Sequence, residues 1–420
     1  MHKLNKEREL KKLLLVLLIL SLFINHLNAN EKDLQIIQKD KKEYRLLDKE
    51  SIQTRQQSQK YDWISPINLS GDIERNHSFS YENNPNLKNN KNTKSASIGF
   101  TQSIFESGGI GFKMDYADNI FKYEMLSWEN QNSQLIYTIY NTLLDMKKLK
   151  LEINQNDYRI VNKDIELIIK KIQYEAGKTD IIELNNAIMS KNLILKEEIA
   201  LKNSLKEKEQ ELAKYTDLKY DEIEILDFQE TNKEIFLDKN YSILEADAKV
   251  EMLNSEYKIK KSQYLPKLSL RANASYSNQD EKFNSMINDT NKDDASSSGS
   301  LILSMPLYDY TKSSKVQESK IEVLKQKALV NDLKNETAFE YEQIFTKIDT
   351  YLKQNETINK NIKLYEELIG ANQISSEAGM TSKYDLEILE NTKTINEFDI
   401  LINKINILQQ YAKLYFKIKN

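Results

Sequence analysis

Acid–base, nucleophilic or metal chemistry needs histidine, cysteine or converging carboxylates, and this chain supplies few of them. It has no cysteine and 3 histidines, of which only His77 lies beyond residue 29. Thiolate, disulfide and histidine-centred metal sites therefore lack ligands. No HExxH, GxSxG, Walker or dinucleotide signature occurs in its required context. Gly108, Gly109 and Gly111 follow an alternating run but lack the GK[ST] ending of a phosphate loop, so they predict a strand-to-helix bend. Asp293 and Asp294 lie in a polar run without the oxygen-ligand spacing of a calcium loop. The residue types predict no enzyme, no cofactor and no resident metal.

Two carboxylate-bearing stretches match each other. EAGKTDIIEL (175–184) holds Gly177, Thr179, Asp180 and Glu183, and EAGMTSKYDLEIL (377–389) holds Gly379, Thr381, Ser382 and Asp385. Each is a glycine helix stop followed by a helix start. Asp180 with Glu183, and Ser382 with Asp385, have capping-box spacing, which gives these side chains a structural duty. If copies of the turns surrounded an axis, Glu183 and Asp385 would instead form an acidic ring that selects cations.

The elements that hold these turns read as one unit written twice. With 9 glycines, 4 prolines and 30% charged residues, long helices are expected. The spacing predicts a helix within 31–62 and strands over about 67–81 and 97–105. Helices follow over about 119–175 and 180–215, then a short acidic connector at 216–235. A helix at 241–263 leads to KLSLRANASYSN and SLILSMPLY, and helices run from about 312 to 377 and from Gly379 to the end. Polar loops are expected at 82–96 and 279–299, and Pro306 marks the end of the last strand. Val161, Ile165, Ile168 and Ile172, and later Phe398, Leu401, Ile405, Leu408, Ala412 and Tyr415, have the 3,4 spacing of packed seams. Trp63 and Trp128 suit interfacial or packed positions near the strands.

In the last strand Leu301, Leu303, Met305 and Leu307 would share one face, with Ser300, Ile302 and Ser304 on the other. Four such strands are too few to close a barrel. Either they form a small soluble sheet, or several chains pool strands, because open edges are not tolerated in hydrocarbon.

The first 29 residues read as an export signal. Lys3, Lys6, Arg8, Lys11 and Lys12 precede the apolar run Leu13–Ile24, and Ala29 offers a cleavage point. Removing five basic and two acidic residues would move the net charge from −4 to −7, a balance that predicts no nucleic-acid partner. The division expected is 1–29 signal, 30–215 first repeat, 216–235 connector and 236–420 second repeat.

This order resembles the TolC family of outer-membrane efflux proteins. SASIGFTQSIFESGG (95–109) looks like the family's second strand and its exit into a helix. YLPKLSLRANASYSN (264–278) is similar to the third strand, and SLILSMPLYDYTKSSKVQESK (300–320) to the fourth with the helix after it. AGKTDIIELNNA (176–187) and AGMTSKYDLEIL (378–389) resemble the two turns at the periplasmic tip. The resemblance implies a mainly α fold with a small β part: four transmembrane strands per chain plus long antiparallel coiled coils, internally duplicated. It implies a homotrimer with a twelve-stranded barrel in outer-membrane lipid and a helical tunnel. The polar loops would face outside the cell. The tip would meet a periplasmic adaptor (membrane fusion) protein and an inner-membrane transporter, as the duct of an efflux or type I secretion system. Departures from the family pattern concern the tip. Ile388 takes the place of a second acid, Ser376 and Thr381 stand where relatives have a latching tyrosine and arginine, and Glu183 replaces an aspartate. A different class of reading from the residues is a periplasmic coiled-coil adaptor or spacer without a pore.

Overall fold

The computed structural model describes residues 34–79, 88–223, 226, 228, 230–283, 289–377 and 382–419. The export-signal stretch 1–29, Gly379 and Thr381 lie outside these residues. The elements, in order, are α1 (Lys39–Tyr61), β1 (Asn68–Phe79), β2 (Lys88–Phe105), α2 (Gly109–Glu175), α3 (Ile181–Leu212), α4 (Lys233–Asp238), α5 (Tyr241–Ser262), β3 (Lys267–Phe283), β4 (Asp289–Ser304), α6 (Lys312–Glu377) and α7 (Lys383–Lys417), with single 3₁₀ turns at Leu34–Ile36 and Tyr220–Glu222. The order helix, two strands, very long helix, shorter helix occurs twice. With 67 and 66 residues, α2 and α6 are each ~100 Å long at the usual rise.

Packing divides the chain into two compact units that each draw on both halves of the sequence. One comprises residues up to Asp48, Ser127–Ile243 and Leu333–Asn420; the other comprises Lys49–Leu126 and Leu244–Asp332.

The first unit is helical. Its core gathers Phe236 on α4, Ile344 and Ile348 on α6, and Leu414 with Ile418 at the end of α7, flanked by Tyr341, Phe345, Ile407 and Tyr411. Beside them Tyr140, Phe228, Tyr415 and Phe416 form an aromatic group with centroids 5.1 to 5.8 Å apart, spacings typical of favourable edge and offset contacts. Residues 216–235, read from sequence as an acidic link, thus supply the buried Phe228 and lead into the fully buried Phe236. An antiparallel bridge, Asn240 to Ile418, ties the C-terminus to the same region.

Trp128 is buried in this helical unit rather than near the strands. Its Nε1 donates to the Arg45 carbonyl at 2.8 Å, while Arg45 Nη2 donates to the Trp128 carbonyl at 2.9 Å and Arg45 Nε to Asn132 Oδ1 at 2.6 Å. Burial of this guanidinium lowers its pKa, against the attraction of Asp48; the hydrogen bonds offset the cost of taking the charge from water.

Both seams depart from expectation. Along α7, Ile405 and Ala412 are buried as the spacing predicts, but Leu401 is exposed. Along α2 only Ile165 is buried, and Val161, Ile168 and Ile172 are exposed. That part of α2 is held instead by polar links. Asn391 Nδ2 donates to Asn162 Oδ1 at 2.9 Å, Gln155 Nε2 to Asp399 Oδ1 at 2.6 Å, and Lys191 pairs with Asp164 at 2.6 Å. Regular 3,4 spacing specifies an apolar stripe but not its partner, and the described residues leave most of the stripe on α2 exposed.

The second unit carries a four-stranded antiparallel sheet of order β1-β2-β3-β4, with the adjoining ends of α1, α2, α5 and α6. Salt bridges and amide bonds knit α2 to its neighbours: Lys122 to Glu251 at 2.9 Å, Asn119 Nδ2 to Ser255 Oγ at 2.9 Å and Gln56 Nε2 to Asp118 Oδ1 at 2.9 Å.

Polar loops are expected at 82–96 and 279–299, and the structure corrects both. β2 begins at Lys88, β3 continues to Phe283 and β4 begins at Asp289. Backbone ladders do not require apolar side chains, so the strands run on through polar residues once register is set by the apolar segment. In the other direction β4 stops at Ser304, so Met305 and Leu307 lie beyond the strand, where Pro306 has no N–H for a ladder.

Two outcomes test this core. Phe236→Ala should lower stability by about 3 to 5 kcal/mol, read as the thermal unfolding midpoint of the detergent-solubilised protein. Glu340 accepts from Lys417 Nζ at 2.5 and 2.6 Å and pairs with Lys413 at 2.8 Å. Burial pushes its carboxyl up, but the two lysines outweigh that and hold it below the usual carboxylate range. A lowered pKa adds stability above the unfolded value of about 4.3, and that stability is lost as pH falls through the folded value. Glu340→Gln should therefore cost about 1 kcal/mol at neutral pH, and the gap between variant and parent should close in acid.

Candidate functional site

The sheet sorts its side chains by chemistry. Paired residues share a face, and the register aligns Leu69, Ile98, Ala274 and Ser297 across the strands, then Gly71, Ala96, Tyr276 and Ala295. With Ile73, Phe100, Leu270, Leu301 and Leu303 these make an apolar face. It is open: Leu69 is 78% exposed, Ile73 82%, Leu301 66% and Leu303 72%. From Leu268 to Tyr276, β3 keeps this face apolar over nine residues, the length a tilted strand needs to cross hydrocarbon.

The opposite face is rich in hydroxyls. Ser70, Ser97, Ser275 and Ser296 form one row, with Ser70 and Ser97 hydroxyls 2.8 Å apart and Ser275 and Ser296 2.9 Å apart. The next row holds Asp72, Ser95, Ser277 and Asp294, and Ser95 donates to Asp72. Arg271 Nε donates to Thr101 Oγ1 at 3.2 Å. Ile302 is the apolar exception. Among the described residues the sheet ends at β1 and β4, so each outer strand leaves one row of backbone groups without a ladder partner.

Strand becomes helix over a short bend. The β2–β3 register slips between Ser103 and Phe105, a bulge that re-aims the strand. Ser107 and Gly108 follow with φ of 51° and 88°, and the Ser107 hydroxyl donates to the Pro266 carbonyl at 2.6 Å. Gly109 then opens α2. Nearby Glu106 is buried and pairs with Lys113 at 3.0 Å. Pro306 lies in the corresponding segment between β4 and α6.

At the first helical turn Gly177 adopts φ 68°. Lys178 N donates to Gln173 O at 2.8 Å and Gly177 N to Tyr174 O at 2.9 Å, the paired bonds of a Schellman stop. Asp180 caps α3 by accepting from Glu183 N at 2.9 Å. The Glu183 carboxylate takes Lys170 Nζ at 3.0 Å, so the reciprocal half of the expected box gives way to an ion pair. At the second turn Ser382 caps α7 through Tyr384 N at 3.2 Å rather than through residue 385. Asp385 is exposed in the first turn of α7 and Thr179 is half-buried. Both turns belong to the helical unit.

Residues 234–413 match the family model described as Outer membrane efflux protein. Over that stretch, less than half of the chain, the sequence resembles the outer membrane efflux proteins. Its fold is that of solved outer-membrane channels. The outer-membrane channel OprN superposes with a TM-score of 0.71 at 9% identity, covering 92% of this chain and 88% of that one. The outer membrane protein VceC from Vibrio cholerae gives 0.69 at 14% identity, covering 91% and 94%. The Campylobacter jejuni CmeC outer membrane channel gives 0.67 at 13% identity, covering 90% and 84%. No curated protein sequence matches significantly. These relatives are channels rather than enzymes. Among the described residues no helix is long and apolar enough to cross a membrane.

Sequence reasoning missed Phe228 and Phe236 and the Arg45–Trp128 clasp. Phe228 within the acidic connector and Phe236 just past its end were the available signal for the first pair, whereas nothing local links residue 45 to residue 128.

Gly177→Ala tests the first turn. No atom crowds a Cβ there, so its cost should be the backbone strain of a left-handed residue, about 1 to 2 kcal/mol, read as a lowered thermal midpoint.

Proposed function

We propose that this chain is the outer-membrane exit duct of a tripartite efflux or type I secretion system. It would be exported by residues 1–29 as a cleaved signal. Three copies would pool four strands each into a twelve-stranded barrel, apolar face to lipid and hydroxyl face to water. The helices would line a periplasmic tunnel, each protomer contributing two repeats, 30–215 and 236–420, joined by the connector 216–235. The duct is passive; a periplasmic adaptor and an inner-membrane transporter would supply cargo and energy.

One observation carries this reading: a sheet with one open apolar face, one hydroxyl face and two unpaired edges. In hydrocarbon such edges cost several kcal/mol per unmet group and must be closed by another strand. A soluble spacer would leave the apolar face in water. The exposed stripe on α2, with Val161, Ile168 and Ile172, supports the same assembly, because sister helices would cover it.

The tip is read as Gly177, Thr179, Asp180, Glu183, Gly379, Thr381, Ser382 and Asp385, with bends at Gly108, Gly109 and Pro306. In this reading Asp385 faces the narrowed entrance and attracts cations. The experiment is outer-membrane fractionation followed by planar-bilayer recording. A heat-sensitive trimer that conducts supports the duct, and a soluble periplasmic monomer defeats it. In the same recordings Asp385→Ala should raise conductance and weaken block by divalent cations; unchanged traces would leave Asp385 no part in the entrance.

A further inference from the structure

Both faces of the sheet carry charge. On β1, Asp72 and Glu74 lie on the hydroxyl face, while Arg75 lies on the apolar face immediately beyond Ile73. On β2, Lys94 lies on the apolar face beside Ile73, its direct partner. Arg75 is paired with Asn92, which makes Arg75 and Lys94 diagonal neighbours about 7 Å apart. Both are exposed, and among the described residues neither has an ion-pair partner. On this face β3 places Asp280 in the row of Arg75, and β4 places Asp293 in the row of Lys94. Asp293 already accepts from Tyr276 OH at 3.0 Å and Asn278 Nδ2 at 2.6 Å.

Two unpaired cations side by side repel each other unless an anion bridges them. Their place specifies which anion. They sit where the apolar face ends, at the end of the sheet remote from the helices, and beyond them the strands continue through polar residues. An occupant of this surface has acyl chains against Leu69, Ile73, Ile98 and Phe100 and phosphate at the level of Arg75 and Lys94.

We propose that Arg75 and Lys94 form a binding site for the phosphate groups of a phosphorylated glycolipid in the outer leaflet. The inference rests on the reading that the apolar face looks at lipid. Arginine grips phosphate through two parallel donors and lysine adds a point charge. The apolar residues below orient the acyl chains, so the site selects a lipid phosphate over a free one. Three copies would repeat the site around the barrel and anchor its height in the membrane.

The test uses the full-length trimer in mild detergent, with bisphosphorylated lipid A and its dephosphorylated form as probes. Bound lipid is read by native mass spectrometry and by the shift in trimer melting. The parent should retain the phosphorylated probe and melt later with it. Arg75→Gln and Lys94→Gln should each weaken binding about fivefold, and the double variant should lose the melting shift. Lys292→Gln, a cation on the hydroxyl face, should bind as the parent does. Equal binding of both probes, or an unaffected double variant, overturns the site. Dissociation of lipid-free Arg75→Gln trimers would also overturn it, by giving the arginine to the seam between copies. A parent that is a water-soluble monomer defeats the pore reading and this site together. A conducting trimer indifferent to lipid phosphate defeats this site alone.

Discussion

The unmet backbone ladder governs the rest of the structure. Each residue carries one strong donor and one strong acceptor, and folding must find a partner for both when water is excluded. Among the described residues β2 and β3 satisfy theirs on two sides, whereas β1 and β4 satisfy theirs on one. The apolar face makes the omission costly, because it suits the sheet to an environment that cannot hydrogen-bond the edges. Every other feature is compatible with that constraint: strands of similar length, a bulge and a left-handed glycine where strand turns to helix, and no helix among the described residues fit to span a membrane.

The helical unit solves a different problem. Helices of 66 and 67 residues cannot be stabilised by ends alone, and their stripes are covered unevenly. Around Phe236, Leu414 and Phe416 the cover is aromatic and dry. Toward Gly177 it is a scatter of amides and ion pairs, with isoleucines left outward. A polar seam fixes which turn of one helix meets which turn of the next, since a slipped register would strand the buried Gln155 and the half-buried Asn162. An apolar stripe without cover is an invitation to association. The two kinds of seam thus divide labour between internal register and external assembly.

The errors of extent in the sequence reading are informative. Loops were expected wherever asparagine, lysine and aspartate crowd together, at 82–96 and 279–299, yet most of these residues that the structure describes are strand. Alternation reports a strand only where its faces see different surroundings; where both see water the ladder persists and the signal vanishes. The seam at 161–172 failed for the converse reason: its spacing was legible, but spacing cannot say whether the partner lies in the same chain. Ser382 capped its helix as expected yet through the nearer amide, a detail set by the local torsions.

The sequence by itself determined the element order, its duplication, the long helices, the four alternating segments and the glycine stop at Gly177, because each follows from local periodicity or from a backbone preference at one residue. It also settled that histidine and cysteine chemistry lacks material. Only the tertiary structure decided the sheet order and register, the sorting of apolar and hydroxyl side chains to opposite faces, the burial of Phe228 and Phe236, and the Arg45–Trp128 clasp. Those depend on which distant segments meet. Meeting is decided by the total free energy of covering apolar surface and pairing backbone groups, a sum over the whole chain that no short stretch of it contains.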